Sequence, residues 1–206
     1  MRLFLIRHGQ SVNNTKKIYS GWADTPLTEK GYEEAKALRP ILSGIRFDKV
    51  YSSDLSRAFN TAKIALPDYE PIRTPLLREC NVGSLENQPW SNQPNCPEEA
   101  KAIANSRDFT PLGGENSEMV THRLKEFFKL LESQDVENVA AFTHGGTILT
   151  MFTYVFGQFD HSLIRRPNCM VAVFDYINGR WTVSGIIDPA IFNNSSTANL
   201  KENDKF

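Results

Sequence analysis

The sequence predicts an α/β fold, a three-layer α/β/α sandwich with a mostly parallel central sheet between helical layers. Two observations carry that reading. Short apolar runs at 3–7, 47–53 and 138–144 alternate with helical stretches at 28–42, 54–66 and 117–133 and with a mostly apolar helix at 146–156. The chain has 206 residues, enough to bury a sizeable core in one domain. Residues 1–192 are expected to form that single domain, with 193–206 a polar, flexible tail.

Taken in order, LFLIR (3–7) reads as a buried strand. TPLTEKGYEEAKALRPIL (25–42) reads as a turn and a helix. Thr28 can cap it, Ala35, Leu38 and Leu42 lie near one face, and Pro40 should kink or end it early. FDKVYSS (47–53) is a second strand. DLSRAFNTAKIAL (54–66) is a helix with Leu55, Ala58, Ala62 and Leu66 on one stripe and Ser53 or Asp54 as its cap. EPIRTPLLREC (70–80) is extended and partly strand. The stretch 81–114, rich in Asn, Pro, Ser and Gly, is the least regular, with a short helix near Glu98–Asn105. Residues 117–133 form an amphipathic helix with Val120, Leu124, Phe127, Phe128 and Leu131 on one face. NVAAFTH (138–144) is a buried strand and GTILTMFTYVF (146–156) a mostly apolar helix. CMVAVFDYINGRWTVSGI (169–186) is a hairpin turning at Asn178-Gly179.

Composition narrows the partners. The formal net charge is −1, so no global field draws the chain to nucleic acid or to an anionic membrane. An anionic ligand would need a local cationic pocket. The cysteines Cys80, Cys96 and Cys169 are odd in number and irregularly spaced, which implies no disulfide framework. No C-x-x-C pair suggests zinc, and a reducing cytoplasm is the natural compartment. Leu3–Ile6 is too short for a signal peptide, and Arg7 ends it. The uncharged stretch 138–159 is nominally long enough to span a bilayer. His144-Gly145-Gly146 cuts it and five Thr or Gln residues dilute it, so a buried strand, turn and helix explain it better. A homodimer is admissible.

In open α/β sheets, ligands bind beyond the C-terminal ends of the strands. Here the first run ends in Arg7-His8-Gly9, the run around Leu76-Leu77 in Arg78-Glu79, and Val139–Phe142 in Thr143-His144-Gly145-Gly146. The strand 47–53 feeds Ser53-Asp54, with Arg57 in the next helical turn. Two histidines, at least two arginines and a glutamate would gather at one sheet edge. That set suits phosphoryl transfer without a metal or other cofactor. Arg7 and Arg57 can clamp a phosphate through charge-assisted hydrogen bonds. A neutral imidazole is a competent nucleophile, and the nearby guanidinium charges oppose its protonation. A second, protonated histidine would stabilise the transferring group, and a carboxyl would serve as acid and base.

Arg7-His8-Gly9 with Ser11 and Asn14, at the spacing R-H-G-x-[ST]-x-x-N, resembles the signature of the histidine phosphatase superfamily, phosphoglycerate mutase-like branch. The resemblance continues in order through GWADTPLTEKG (21–31), VYSSDLSRAFNTA (50–62), LLRECNVGSLE (76–86), GGENSEMVTHR (113–123) and AFTHGGTI (141–148). It implies a phosphoglycerate mutase-like fold with His8 as the nucleophile and Glu79 as acid/base. It implies that Arg7, Arg57 and His144 surround the phosphate, that Asn14 hydrogen-bonds it, and that Gly145 offers a backbone N–H. Ser20 and Gly21 match a substrate-lining turn. Gln10, Asn87 and Asn116 depart from residues common in the family.

The mutases of this family carry an inserted segment whose paired arginines hold the substrate carboxylate. Here the interval Cys80–Leu112 has one arginine, Arg107. The expected activity is therefore phosphomonoester hydrolysis of a small phosphorylated metabolite, through phosphohistidine, with mutase-type transfer as the alternative. A non-catalytic phospho-ligand binder and a metal-dependent hydrolase are the other classes. The substrate is expected to meet the segment 81–112 and Lys16, Lys17 and Trp22. His122 and His161 read as structural or exposed, Arg165-Arg166 as a solvated charge pair, and Glu79 has in Arg78 a neighbour that could simply pair with it.

Overall fold

The computed structural model describes residues 1–91, 93 and 95–191. The tail expected at 193–206 lies outside the described residues. Among these residues six strands form one sheet: β1 (Arg2–Arg7), β2 (Lys49–Ser53), β3 (Ile72–Thr74), β4 (Asn138–Thr143), β5 (Val171–Ile177) and β6 (Arg180–Ile187), in the order β3-β2-β4-β1-β5-β6. β3, β2, β4 and β1 are parallel neighbours; β5 runs antiparallel to both β1 and β6. The sheet is mostly parallel, as the sequence predicts. The β5–β6 turn places Asn178 and Gly179 at φ 51° and 77°. Asn-Gly tolerates such angles.

Among the described residues seven α-helices accompany the sheet: α1 (Val12–Lys16), α2 (Glu29–Lys36), α3 (Arg39–Leu42), α4 (Ser56–Ala65), α5 (Glu98–Ser106), α6 (Ser117–Glu132) and α7 (Gly145–Phe156). Alternation of side chains along the strands divides the core in two. Leu3 and Leu5, Val139 and Ala141, and Ala172 and Phe174 pack against α6 and α7. Phe4 and Ile6, Ala140 and Phe142, and Val171 and Val173 pack on the other face, with Leu38, Leu42, Ala62 and Ala65. That is the three-layer sandwich. The uncharged stretch 138–159 becomes β4, a turn and α7. No helix among the described residues is long and apolar enough to cross a membrane.

Local chemistry explains the departures. Thr28 caps α2 through Gly31 N–H, and the helix breaks before Pro40, which restarts it as α3. α4 begins at Ser56, not at 54, and neither Ser53 nor Asp54 is its cap residue. The carboxylate of Asp24, from a distant turn, accepts Ser56 N–H and Oγ–H at 2.9 and 2.7 Å. Asp54 instead pairs with Arg78. The extended run at 70–80 is a strand only at Ile72–Thr74. Pro75–Leu77 turn into a 3₁₀ helix, capped by the Thr74 side chain on Leu76 N–H. A prolyl nitrogen has no hydrogen for the ladder. Glu79 therefore reaches the sheet edge from a turn rather than from a strand end.

Candidate active site

The C-terminal edges of β1 and β4 lie in register, Arg7 opposite Thr143, and His8 N–H donates to Thr143 O at 2.9 Å. A cleft of about 610 Å³ opens above them. Arg7, His8, Asn14, Ser20, Gly21, Arg57, Glu79 and Gly145 all line it. His144 is fully buried beneath, its ring 5.1 Å from that of His8. The structure thus brings Arg7, His8, Asn14, Ser20, Gly21, Arg57, Glu79, His144 and Gly145 together at one sheet edge.

His8 Nδ1 lies 2.7 Å from Gly9 O. A carbonyl only accepts, so Nδ1 carries the proton and Nε2 keeps its lone pair. Burial, then the charges of Arg57 and Arg7, push the His8 pKa well below its ordinary 6.5. The ring is therefore neutral and oriented at neutral pH, with a lone pair on Nε2 that can serve as a nucleophile.

Arg57 is anchored from behind. Its Nη1 and Nη2 donate to Ala23 O and Gly21 O at 3.0 and 2.8 Å. Gly21 turns that carbonyl inward at φ 49°, a conformation glycine adopts at no steric cost. Burial lowers the Arg57 pKa to about 10, which still leaves it charged. Arg7 donates from Nη1 to Arg166 O. Three buried side-chain polar atoms have no hydrogen-bond partner among the described residues: Arg7 Nε, Arg57 Nε and His144 Nδ1. All three belong to the group around His8. Unpaired buried donors are uncommon in folded proteins, and three in one place mark a seat for an acceptor-rich group.

His144 departs from expectation in one respect. Burial, then Arg57, His8 and Arg7, push its pKa well below 6.5, so without ligand it is neutral and not protonated. Its Nε2 lies 2.9 Å from Ser53 Oγ, which itself accepts Leu55 N–H at 3.3 Å. Among the described residues Nε2 is the one acceptor within reach of the serine proton, and a bond from Oγ–H to Nε2 leaves Nδ1–H as a neutral donor.

Glu79 is held by backbone N–H groups. Oε1 accepts from Cys80 N–H at 2.9 Å and Oε2 from Gly146 N–H at 3.0 Å, in the first turn of α7. A Cβ at Gly146 would stand 2.3 Å from Glu79 Oε1, so only glycine admits the carboxylate this close. Arg78 does not pair with Glu79. It pairs in fork geometry with Asp54 at 2.8 and 2.6 Å and lies over the Trp22 ring. Sequence reasoning gave no role to Glu115 and Arg123, although both sit in a quoted block. Arg123 makes a forked pair with Glu115 and donates to the carbonyls of Leu76, Arg78 and Glu79. It clamps the turn that carries Glu79.

The rim departs further from expectation. Lys16 and Lys17 do not line the cleft, nor does Trp22, whose indole N–H donates to Glu79 O at 2.8 Å and braces that turn. The segment 81–112 does line it, through Val82, Trp90, Ser91, Ala104, Arg107 and Phe109. Arg165 is solvated, but Arg166, though exposed, belongs to the cleft wall. His122 is exposed, whereas His161 bonds Arg107. Trp181 packs in the core. Cys96 and Cys169 are buried; burial pushes the Cys80 thiol up to about 12, which keeps it protonated at neutral pH. Asn14 Oδ1 accepts Ser11 N–H in a capping box, which leaves the donor side of its amide for a ligand. The departures from family pattern have structural work: Asn116 caps α6, and Asn87 takes φ 65° where glycine is common.

The family model of the histidine phosphatase superfamily (branch 1) matches residues 3–189. The chain is 34% identical over 163 residues to an adenosylcobalamin/alpha-ribazole phosphatase of Escherichia coli strain K12, covering 77% of this chain and 80% of that one. It is 31% identical to a 2,3-bisphosphoglycerate-dependent phosphoglycerate mutase of Brucella ovis, covering 88% and 95%. Among solved structures, a putative alpha-ribazole-5'-P phosphatase from Escherichia coli superposes with a TM-score of 0.80 at 29% identity, over 92% of this chain and 97% of that one.

Proposed function

The chain belongs to the histidine phosphatase superfamily, and from that premise we propose a metal-independent phosphomonoesterase that acts on a small phosphorylated metabolite through phosphohistidine at His8. The three unpartnered donors around His8 carry this reading. A phosphoryl group brings oxygens for Arg7 Nε, Arg57 Nε and His144 Nδ1, and their preorganisation in a dry site strengthens each contact. Asn14, Ser20, Gly21 and Gly145 line the same seat.

In the first step His8 Nε2 forms a bond to phosphorus as the bond to the ester oxygen breaks. Glu79 in its acid form gives that oxygen a proton, and the free alcohol leaves. Gly9 O stays on Nδ1–H as the ring takes up positive charge. In the second step Glu79 takes a proton from water, the water oxygen bonds to phosphorus, and the P–N bond breaks. Inorganic phosphate leaves and His8 is again neutral.

The test is phosphate release from a panel of phosphomonoesters after chelator treatment, beside the folded His8→Ala variant. Wild type should turn over and should trap acid-labile phosphohistidine. The variant should lose activity by about 10³-fold or more. Full activity in His8→Ala would sink the proposal.

One observation favours mutase-type transfer as a second reading. A single arginine in the interval 80–112 argued against a carboxylate clamp, but Arg166 joins Arg107 in the same cleft. Formation of 2-phosphoglycerate from 3-phosphoglycerate with a 2,3-bisphosphoglycerate primer, faster than phosphate release, would establish that reading.

A further inference from the structure

A turn outside the sequence blocks that resemble the family reaches three residues of the phosphoryl seat. It lies between the 3₁₀ helix His161–Leu163 and β5. Arg166 O accepts from Arg7 Nη1 and holds that side chain while its Nε stays unpaired. Cys169 N–H donates to His8 O at 3.3 Å. Asn168, between them, sends its side chain the same way. Its Nδ2 donates to His8 O at 3.1 Å and to Asn14 Oδ1 at 3.3 Å. An amide nitrogen carries two hydrogens and can serve both acceptors at once.

Backbone groups fix which way round both amides stand. Asn168 faces a main-chain carbonyl, which only accepts, so the atom there is its nitrogen. Asn14 faces Ser11 N–H at 3.1 Å, which only donates, so the atom there is its oxygen. Asn14 Oδ1 thus has two donors, and its Nδ2 is left for the cleft that Asn14 lines. A reversed Asn14 would set its nitrogen against two donors and offer a phosphoryl group an oxygen.

The Asn168 side chain is not needed for the register of β5. The ladder from Arg2 opposite Asp175 to Ile6 opposite Val171, and the bond from Arg7 N–H to Met170 O at 3.0 Å, already fix it. Yet the turn that presents Asn168 is strained. Met170 N–H closes it on Pro167 O at 3.3 Å, and Cys169 takes φ 60° at its third position, where glycine is usual. Backbone held at such angles gathers at functional sites.

We propose that Asn168 is a positioning residue for phosphoryl binding: anchored on His8 O, it locks the Asn14 amide with its N–H groups toward the phosphoryl group. This rests on the phosphoryl seat of the phosphomonoesterase reading. It adds a residue 154 positions away from the side chain it orients.

The experiment is a double-mutant cycle. It is read as affinity for inorganic phosphate by calorimetry and as kcat/KM for p-nitrophenyl phosphate. Asn168→Leu keeps the volume and removes the donor. It should weaken phosphate binding about fivefold, with the loss in kcat/KM carried mainly by KM. Asn168→Gln keeps a donor and should recover part of that loss. In the Asn14→Ala background Asn168→Leu should cost at most about twofold, because no amide remains to be oriented. Asn168→Ala serves the same cycle should the leucine variant fail to fold. Losses that multiply in full, as a merely structural role would give, overturn the proposal. So does a folded donor-less variant that binds phosphate as wild type does. A cycle that is non-additive for phosphate affinity, in a protein that hydrolyses no phosphomonoester, would keep the positioning role and sink the phosphatase reading instead.

Discussion

The floor of the cleft and its outer wall rest on different supports. The floor is the register of β1 against β4, with buried His8, His144 and Arg57 at or beside the strand ends. Its residues belong to elements that also build the two main core clusters. The wall rests on a small cluster of its own, Val82, Leu85 and Phe109 with Ala100, Ile103 and Leu112 around them, under 3₁₀ turns and α5. On the proposed reading, the chemistry falls to the part of the molecule that cannot shift without disturbing the core, and recognition of the rest of the substrate to a satellite that can change alone.

The sharpest way to break the floor without touching the wall is Gly146→Ala. The new methyl would meet Glu79 Oε1 at 2.3 Å, and a carboxylate is easier to move than the α7 backbone. We expect kcat to fall by about 10² to 10⁴, the usual contribution of a positioned acid. Alkyl phosphates, whose alkoxides need the proton, should suffer far more than p-nitrophenyl phosphate. Equal losses for the two ester types would mean that Glu79 is not the acid.

The same division decides how much of the molecule was legible in the sequence. The floor could be read because a strand end followed by His-Gly is both a local pattern and a place in the fold; 7–9 and 143–146 carry it twice. Helical periodicity marked α2, α4 and α6 because each buries one stripe of side chains, whereas α7 showed itself as an apolar run because it is buried on most sides. The wall left no such pattern. Arg166 reads as half of a solvated Arg-Arg pair until the chain folds it against Arg7, 159 residues away. Asp24 caps α4 across 32 residues, so the local candidates Ser53 and Asp54 misled. Glu115 and Arg123 lie eight residues apart on the same segment, yet the turn they clamp comes from 75–79. Only contacts between segments define these roles, and composition does not report them.

Phe109→Ala tests whether the wall is an independent unit. Phe109 is buried in the satellite cluster and in neither main cluster. Removing a buried phenyl ring costs about 3 to 5 kcal/mol. If the wall opens alone, amide exchange should accelerate on the order of 100-fold within 81–112 while β1 and β4 keep their protection. KM should rise more than kcat falls. Equal acceleration in β1 would merge wall and floor into one cooperative unit.

Acid should distinguish the two regions by a smaller amount. His8 and His144, both in the floor, have folded-state pKa values well below 6.5. Below 6.5 the unfolded chain takes up protons on these rings that the folded chain refuses, so their contribution is fully present above that pH and is lost as pH falls. The slope approaches about 1.4 kcal/mol per pH unit for each ring, or about 2.7 for the pair. His161, in the wall, shifts in the same direction, but it is half-buried and is the smaller contributor. Stability to urea measured from pH 7 to pH 5 should therefore fall in wild type. His8→Gln should flatten that fall by roughly half, whereas His161→Gln should alter it little. The ordering matters because a phosphoryl dianion between Arg7 and Arg57 would offset the two charges that, with burial, hold both rings neutral. Saturating inorganic phosphate should make the slope shallower in wild type and should change it least where His8 has been replaced.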